Sequence, residues 1–139
     1  MSAGDTIADK YRVERLLGRG GMGYVVAATH MKLAQRVAIK ILKPDLCEDD
    51  REVDRFLREA RASVRIQSEH VARVLDVGAL DDGSPFMVIE LLEGRDLAHE
   101  LKERRGLPIA EAVDYVLQAC EAVAEAHALG IVHRDLKPA

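Results

Sequence analysis

Two stretches of this sequence carry residues whose types and spacing could do chemistry. Between Leu17 and Lys40 the chain reads LGRGGMGYVVAATHMKLAQRVAIK, in which Gly18, Gly20 and Gly23 form a G-x-G-x-x-G with a fourth glycine at Gly21. Glycines let a backbone approach a ligand closely, and the N–H groups of such a loop can face phosphate oxygens, so its chemistry is anion cradling. Lys40 closes the apolar run Val37, Ala38, Ile39. A lysine on such a strand either carries its ammonium out to water or meets an anion. The second stretch is the C-terminal IVHRDLKPA, residues 131–139, where Asp135 follows His133 and Arg134 and precedes Lys137.

The surroundings of the glycines separate the known kinds of phosphate loop. A dinucleotide fold needs a helix opening at the glycines and an acidic residue after the next strand. Here Tyr24, Val25, Val26 and Thr29 favour a strand instead, and the next strand, Val37 to Ile41, carries Lys40 where the acid should stand. No G-K-[ST] is present, which removes the P-loop. What remains is strand, glycine flap, strand, turn and strand.

The elements that must position these groups follow from periodicity. Residues 1–10 read as a loose polar lead-in, Tyr11 to Leu17 as the first strand, and Gln35 to Leu42 as the third, ended by Lys43-Pro44-Asp45. From Asp49 to Ile66 the period changes: Val53, Phe56, Leu57, Ala60 and Val64 lie on one helix face, with Glu59 at its edge. Asp49 and Asp50 suit the start of that helix. Val71 to Val77 and Phe86 to Leu92 read as two strands joined by the turn formers at 81–85. Residues 93–96 break the pattern as a hinge. Leu97 to Arg105 predicts a short helix ended by Gly106, and Pro108 fits the first turn of a longer one through about Ala128, stopped by Gly130. That longer helix carries an apolar stripe of Ile109, Val113, Val116, Leu117, Cys120, Val123 and Ala124.

Composition sets the outer bounds. With 139 residues, 48% apolar and 32% charged, the chain has the balance of a folded domain. Its net charge of −4 gives no sign of a nucleic-acid surface. The longest run free of Asp, Glu, Lys and Arg, Gly20 to Met31, falls short of the ~20 residues of a membrane span. Cys47 and Cys120 read as free thiols in a reducing compartment, and with no signal peptide at residues 1–10 the expected location is cytoplasmic.

The flap followed by V-A-I-K at 37–40, and the H-R-D-L at 133–136, resemble the protein kinase family, specifically bacterial eukaryotic-like Ser/Thr kinases. The resemblance covers Tyr11 to Ala139. It implies an α+β, protein-kinase-like fold: a five-stranded antiparallel small lobe with its C helix over 11–92, a hinge at 93–96, and the first helices of a truncated large lobe over 97–139. It implies an ATP-dependent serine/threonine kinase, with ATP and Mg²⁺ as cofactors and protein Ser/Thr hydroxyls as substrates. The flap residues Leu17, Gly18, Arg19, Gly20, Gly21, Met22 and Gly23 would cover the phosphates, and Val25 and Ala38 would roof the adenine. Lys40 would contact the α- and β-phosphates and pair with Glu59. Ile89 takes the gatekeeper position, Glu90 to Leu92 the hinge that holds the adenine edge, and Asp96 a ribose contact.

Asp135 would be the catalytic aspartate and Lys137 the γ-phosphate lysine typical of Ser/Thr enzymes. Arg134 matches the arginine on which a phosphorylated activation loop docks. His133 reads as a packed structural histidine rather than a base, and His30, His70, His99 and His127 lack metal-ligand spacing. The metal ligands of the family fall beyond Ala139, so no residue here is assigned to Mg²⁺, and the 139 residues alone are expected to be inactive. The apolar stripe would be left uncovered, and the resemblance also suggests homodimers through the small lobe. A second reading is a non-catalytic kinase-like module that binds nucleotide or a partner.

Overall fold

The structure is a computed structural model that describes residues 2–138. It divides into two compact units. The first holds the described residues up to Val64 together with Ala72–Leu92; the second holds Arg65–Val71 and the described residues from Glu93 onward.

The first unit is a six-stranded antiparallel sheet with one helix. Its strands are β1 (Thr6–Ile7), β2 (Tyr11–Arg19), β3 (Gly23–His30), β4 (Gln35–Leu42), β5 (Val74–Ala79) and β6 (Pro85–Glu90), in the order β1-β2-β3-β4-β6-β5. Strand alternation gives the sheet two apolar faces. One gathers Ile7, Tyr11, Val13, Val26, Ala28, Val37, Ile39, Ile41, Phe86 and Val88 into a buried core. On the other, Leu42 and Met87 pack against Phe56 and Ala60 of helix α1 (Asp50–Arg65). Val53 and Leu57 support that contact, whereas Val64, also expected on the apolar face, is 61% exposed at the last turn.

The lead-in is where the structure corrects the sequence reading. Thr6 and Ile7 pair with Arg12 and Tyr11, and Ile7 is fully buried, so the sheet has six strands rather than five. A two-residue strand is too short to show alternation, and only the core beneath it reveals it. The sheet also curls: Tyr11 Oη on β2 donates to Asp76 Oδ2 on β5, the far edge strand, at 3.1 Å. Burial, and then Asp76, push the Tyr11 phenol above its ordinary pKa.

Other boundaries move by a few residues. β5 starts at Val74 rather than Val71: Val71 N–H turns back to Ser68 O, and pairing with β6 begins with Glu90 N–H donating to Arg73 O. β6 stops at Glu90, where its ladder with β4 ends at Val37. Pro44 opens a short 3₁₀ turn, Pro44–Leu46, rather than a simple chain break.

The second unit contains α2 (Leu97–Arg104) and α3 (Ile109–Ala128). Arg105 in the left-handed region, φ 56°, ends α2, followed by Gly106 at φ 132°. Pro108 stands at the cap just before α3 rather than inside its first turn. Along α3 the buried positions are Ala122 and Ala126, and the expected stripe is open: Ile109, Val113, Val116 and Leu117 are all at least half exposed. With Leu107 and Ala112 these residues line a groove of about 340 Å³. An uncovered apolar face of this kind promotes association. Replacing Val116 and Leu117 by glutamate is expected to lower light scattering by the 139-residue chain at equal concentration; unchanged scattering would place the sticky surface elsewhere.

Candidate active site

In the first unit, β2 and β3 form the hairpin that carries the glycines, and Gly20 N–H donates to Gly23 O at 2.8 Å to close the turn. Gly18, Gly20, Gly21 and Gly23 all lie outside the left-handed region. What glycine supplies here is space. A Cβ on Gly23 would sit 2.0 Å from Ile41 O, whereas one on Gly18, Gly20 or Gly21 would meet nothing within 4 Å. The open side is room for a ligand. Among the described residues, the N–H groups of Gly21 and Met22 have no acceptor, which suits them to an anion.

Lys40 is placed by register. It lies opposite Val25 on β3 and Met87 on β6, and Ala38, two residues earlier, lies opposite Ala27 and Ile89. Val25, Ala38 and Lys40 therefore share a face. Lys40 Nζ donates to Glu59 Oε1 at 2.6 Å and stands 5.8 Å from the Phe56 ring centroid. Burial of Phe56 and Ala60 fixes the rotation of α1 and so delivers Glu59 to the lysine. The two side chains are 25% and 45% exposed, and a pair this wet adds at most about 1 kcal/mol to stability. Its effect is to hold an ammonium in one place.

The segment after β6 is less committed. Ile89 packs partly into the α1 core, Glu90 N–H is taken by Arg73 O, and Leu92 is 68% exposed. Arg19 and Leu17 lie exposed on β2, and Met22 packs partly against the α1 core.

In the second unit, Asp96 caps α2, its Oδ1 accepting from His99 N–H at 2.7 Å. One oxygen of the expected ribose ligand is thus already engaged. After α3, the C-terminal loop is tied back where Pro138 O accepts Ala98 N–H at 3.0 Å. Within it, Lys137 Nζ donates to Asp135 Oδ2 at 2.9 Å, Asp135 N–H donates to His133 Nδ1 at 3.3 Å, and Arg134 adopts φ 64°. A non-glycine residue at positive φ is uncommon, and such strain clusters at functional sites. His133 is exposed, which corrects the expectation that it is packed; its ring serves the Asp135 backbone from the solvent side.

The hydrogen bond from Lys137, and then its charge, hold the Asp135 carboxyl below the usual aspartate range. A carboxylate depressed in the folded state stabilises above its unfolded pKa and loses that contribution as pH falls. Lys137→Met is therefore expected to raise the Asp135 pKa toward the ordinary value, read by carbon-detected NMR titration; an unmoved midpoint would remove Lys137 as the cause.

Two features escaped sequence reasoning. Glu125 on α3 accepts Gln67 and Ser68 N–H groups at 2.7 and 2.8 Å, with His70 Nε2 3.1 Å from Glu121 Oε2. Lys43 reaches the flap, its Nζ donating to Gly21 O at 3.1 Å. Neither has a motif, and both are defined by backbone partners distant in sequence. Among the described residues, no three His, Cys, Asp or Glu side chains converge to hold a metal ion, and none of the helices is long and apolar enough to cross a membrane.

Comparison with known proteins identifies the family. Residues 11–139 match the protein kinase domain. The chain is 43% identical over 135 residues to the serine/threonine-protein kinase pkn3 of Myxococcus xanthus, covering 97% of this chain and 25% of that protein. It is 39% identical over 136 residues to the probable serine/threonine-protein kinase PknB of Corynebacterium glutamicum, covering 96% and 21%. Among solved structures, the Mycobacterium tuberculosis PknI kinase domain superposes with a TM-score of 0.83 at 32% identity, covering all of this chain and 55% of that one. The chain thus spans about a quarter of the curated relatives' length. A glycine hairpin, a lysine held by a helix glutamate and an H-R-D-L loop in one matching sequence place this chain in the protein kinase family, with bacterial serine/threonine kinases as its relatives.

Proposed function

We propose that this chain is the N-terminal part of a catalytic domain that transfers the γ-phosphoryl group of ATP to serine and threonine hydroxyls of proteins. The observation that carries the reading is the 2.6 Å contact of Lys40 with Glu59. A half-exposed ion pair contributes little to stability, so a strand lysine held this way is best explained by the phosphates it would meet. The flap N–H groups of Gly21 and Met22 would meet the same anion from above, with Val25 and Ala38 over the adenine and Glu90 to Leu92 along its edge. Asp96 would contact the ribose through the oxygen that its cap leaves free.

Asp135 would orient the acceptor hydroxyl and take its proton as the oxygen attacks phosphorus. The loose transition state of phosphoryl transfer asks mainly for positioning, so a depressed carboxyl pKa does not impede it. Lys137 would pass from Asp135 to the γ-phosphate and neutralise charge there. Magnesium supplies charge neutralisation on the phosphates when bound, and by the resemblance the side chains that hold it follow Ala139. The 139 residues alone should then show no measurable transfer. ATP as substrate and the free thiols Cys47 and Cys120 fit catalysis on the cytoplasmic side, and pairing of two small lobes into a homodimer belongs to the same proposal.

The test is phosphoamino-acid analysis of a protein acceptor after incubation with labelled ATP and the full-length protein. Label on serine and threonine, falling at least about a hundredfold in Asp135→Asn, is the expected result. ATP binding without Asp135-dependent transfer would leave a nucleotide-binding module instead.

A further inference from the structure

Lys43, the residue after β4, touches two successive carbonyls of the flap turn. Its backbone N–H donates to Met22 O at 3.1 Å and its ammonium to Gly21 O at 3.1 Å. Alternation assigns it a face. Val25, Ala38 and Lys40 share one side of the sheet. Tyr24 lies on the other, and Lys43 joins it there, the two lining a shallow cavity of about 300 Å³ with Leu16 and Arg19.

A trans peptide carries its C=O and N–H on opposite sides, and the described chain contains no cis bond. Drawing Gly21 O toward the Tyr24 side therefore turns the N–H of the same peptide, that of Met22, toward the Lys40 side. This N–H has no acceptor among the described residues. An ammonium 3.1 Å from the carbonyl also polarises the peptide and strengthens its N–H as a donor.

We propose that Lys43 is a positioning residue of the flap: from behind the sheet it fixes the Gly21–Met22 peptide so that the Met22 N–H is presented to the phosphates of a nucleotide on the Lys40 side. The role deepens the kinase reading and rests on it. Met22 O is held by the backbone of Lys43, so a side-chain substitution removes only the contact to Gly21 O.

The test is calorimetric titration of the full-length protein with ADP and, separately, with adenosine, which has no phosphate. In Lys43→Met the ADP dissociation constant is expected to rise about 5- to 10-fold, the weakening of the Met22 N–H bond to the phosphates rather than its loss, with adenosine binding unchanged. Lys43→Arg, which keeps a cationic donor, should retain most of the ADP affinity. Unchanged ADP affinity in Lys43→Met overturns the proposal, and so does an equal loss for adenosine, which would show general damage to the lobe. If Lys40→Met weakens ADP binding and Lys43→Met does not, this role alone fails. If the wild-type protein binds neither ligand, the kinase reading fails with it.

Discussion

Lys40→Met in the full-length protein is expected to lower kcat/KM for phosphotransfer at least about a hundredfold while moving the thermal midpoint by no more than a few degrees. The two halves of this expectation have separate causes. A unit charge about 4 Å from a phosphate is worth roughly 4 kcal/mol at the effective dielectric of a protein surface. Losing even two-thirds of that is about two decades in rate. The ion pair with Glu59 is 2.6 Å long and partly solvated, so removing it costs the fold at most about 1 kcal/mol. Lys40→Arg should fail nearly as badly, since the planar fork does not replace a compact ammonium. Glu59→Gln should lose only about tenfold, because the cation remains and only its tether is weakened. Steady-state kinetics on the three variants decides the matter. Lys40→Met within threefold of wild type would remove Lys40 from the chemistry.

Gly23→Ala is expected to be the most damaging single-methyl change in the flap, and for a reason unrelated to nucleotide. The added Cβ would sit 2.0 Å from Ile41 O and 3.0 Å from Ile41 C, both backbone atoms of β4 that cannot swing aside. Relief requires β3 and β4 to separate at the Gly23–Leu42 pair. That also strains the neighbouring bond from Lys43 N–H to Met22 O. Overpacking of this severity costs about 3 kcal/mol, which lowers the melting midpoint by more than about 10 °C in a domain of this size. Gly20→Ala and Gly21→Ala have open space at the same distance and should each cost less than about 1 kcal/mol. Thermal denaturation of the three variants tests the contrast. Equal midpoints would mean that the hairpin relaxes around the methyl group without opening the ladder.

These two residues show how the sequence divides. Lys40 was legible as a candidate because its signal is local: a cation closing an apolar β-run after a glycine hairpin is a pattern within 24 consecutive residues. Gly23 was legible as part of a glycine-rich hairpin, but the reason this glycine cannot be replaced was not, since the obstructing atom belongs to another strand. The same split runs through the rest of the chain. Helix α1 could be read from the spacing of Val53, Phe56, Leu57 and Ala60, while the exposure of Val64 depends on how far the helix contact with the sheet extends. Glu59 was singled out because the kinase resemblance puts a glutamate on that helix, and its contact with Lys40 needed the burial of Phe56 and Ala60 to set the helix rotation.

By itself, then, the sequence determined the order of the longer strands and helices, the glycine flap and the family, because periodicity and motif spacing are properties of neighbours along the chain. Tertiary structure alone decided the rest. It made a strand of Thr6–Ile7 by burying Ile7, and curled the sheet until Tyr11 met Asp76 across it. It left His133 in solvent and Arg134 at positive φ. It also set Lys43 behind the flap. Each of these depends on groups far apart in sequence being brought within a few ångströms, and burial and hydrogen-bond satisfaction act on that distance rather than on chain order.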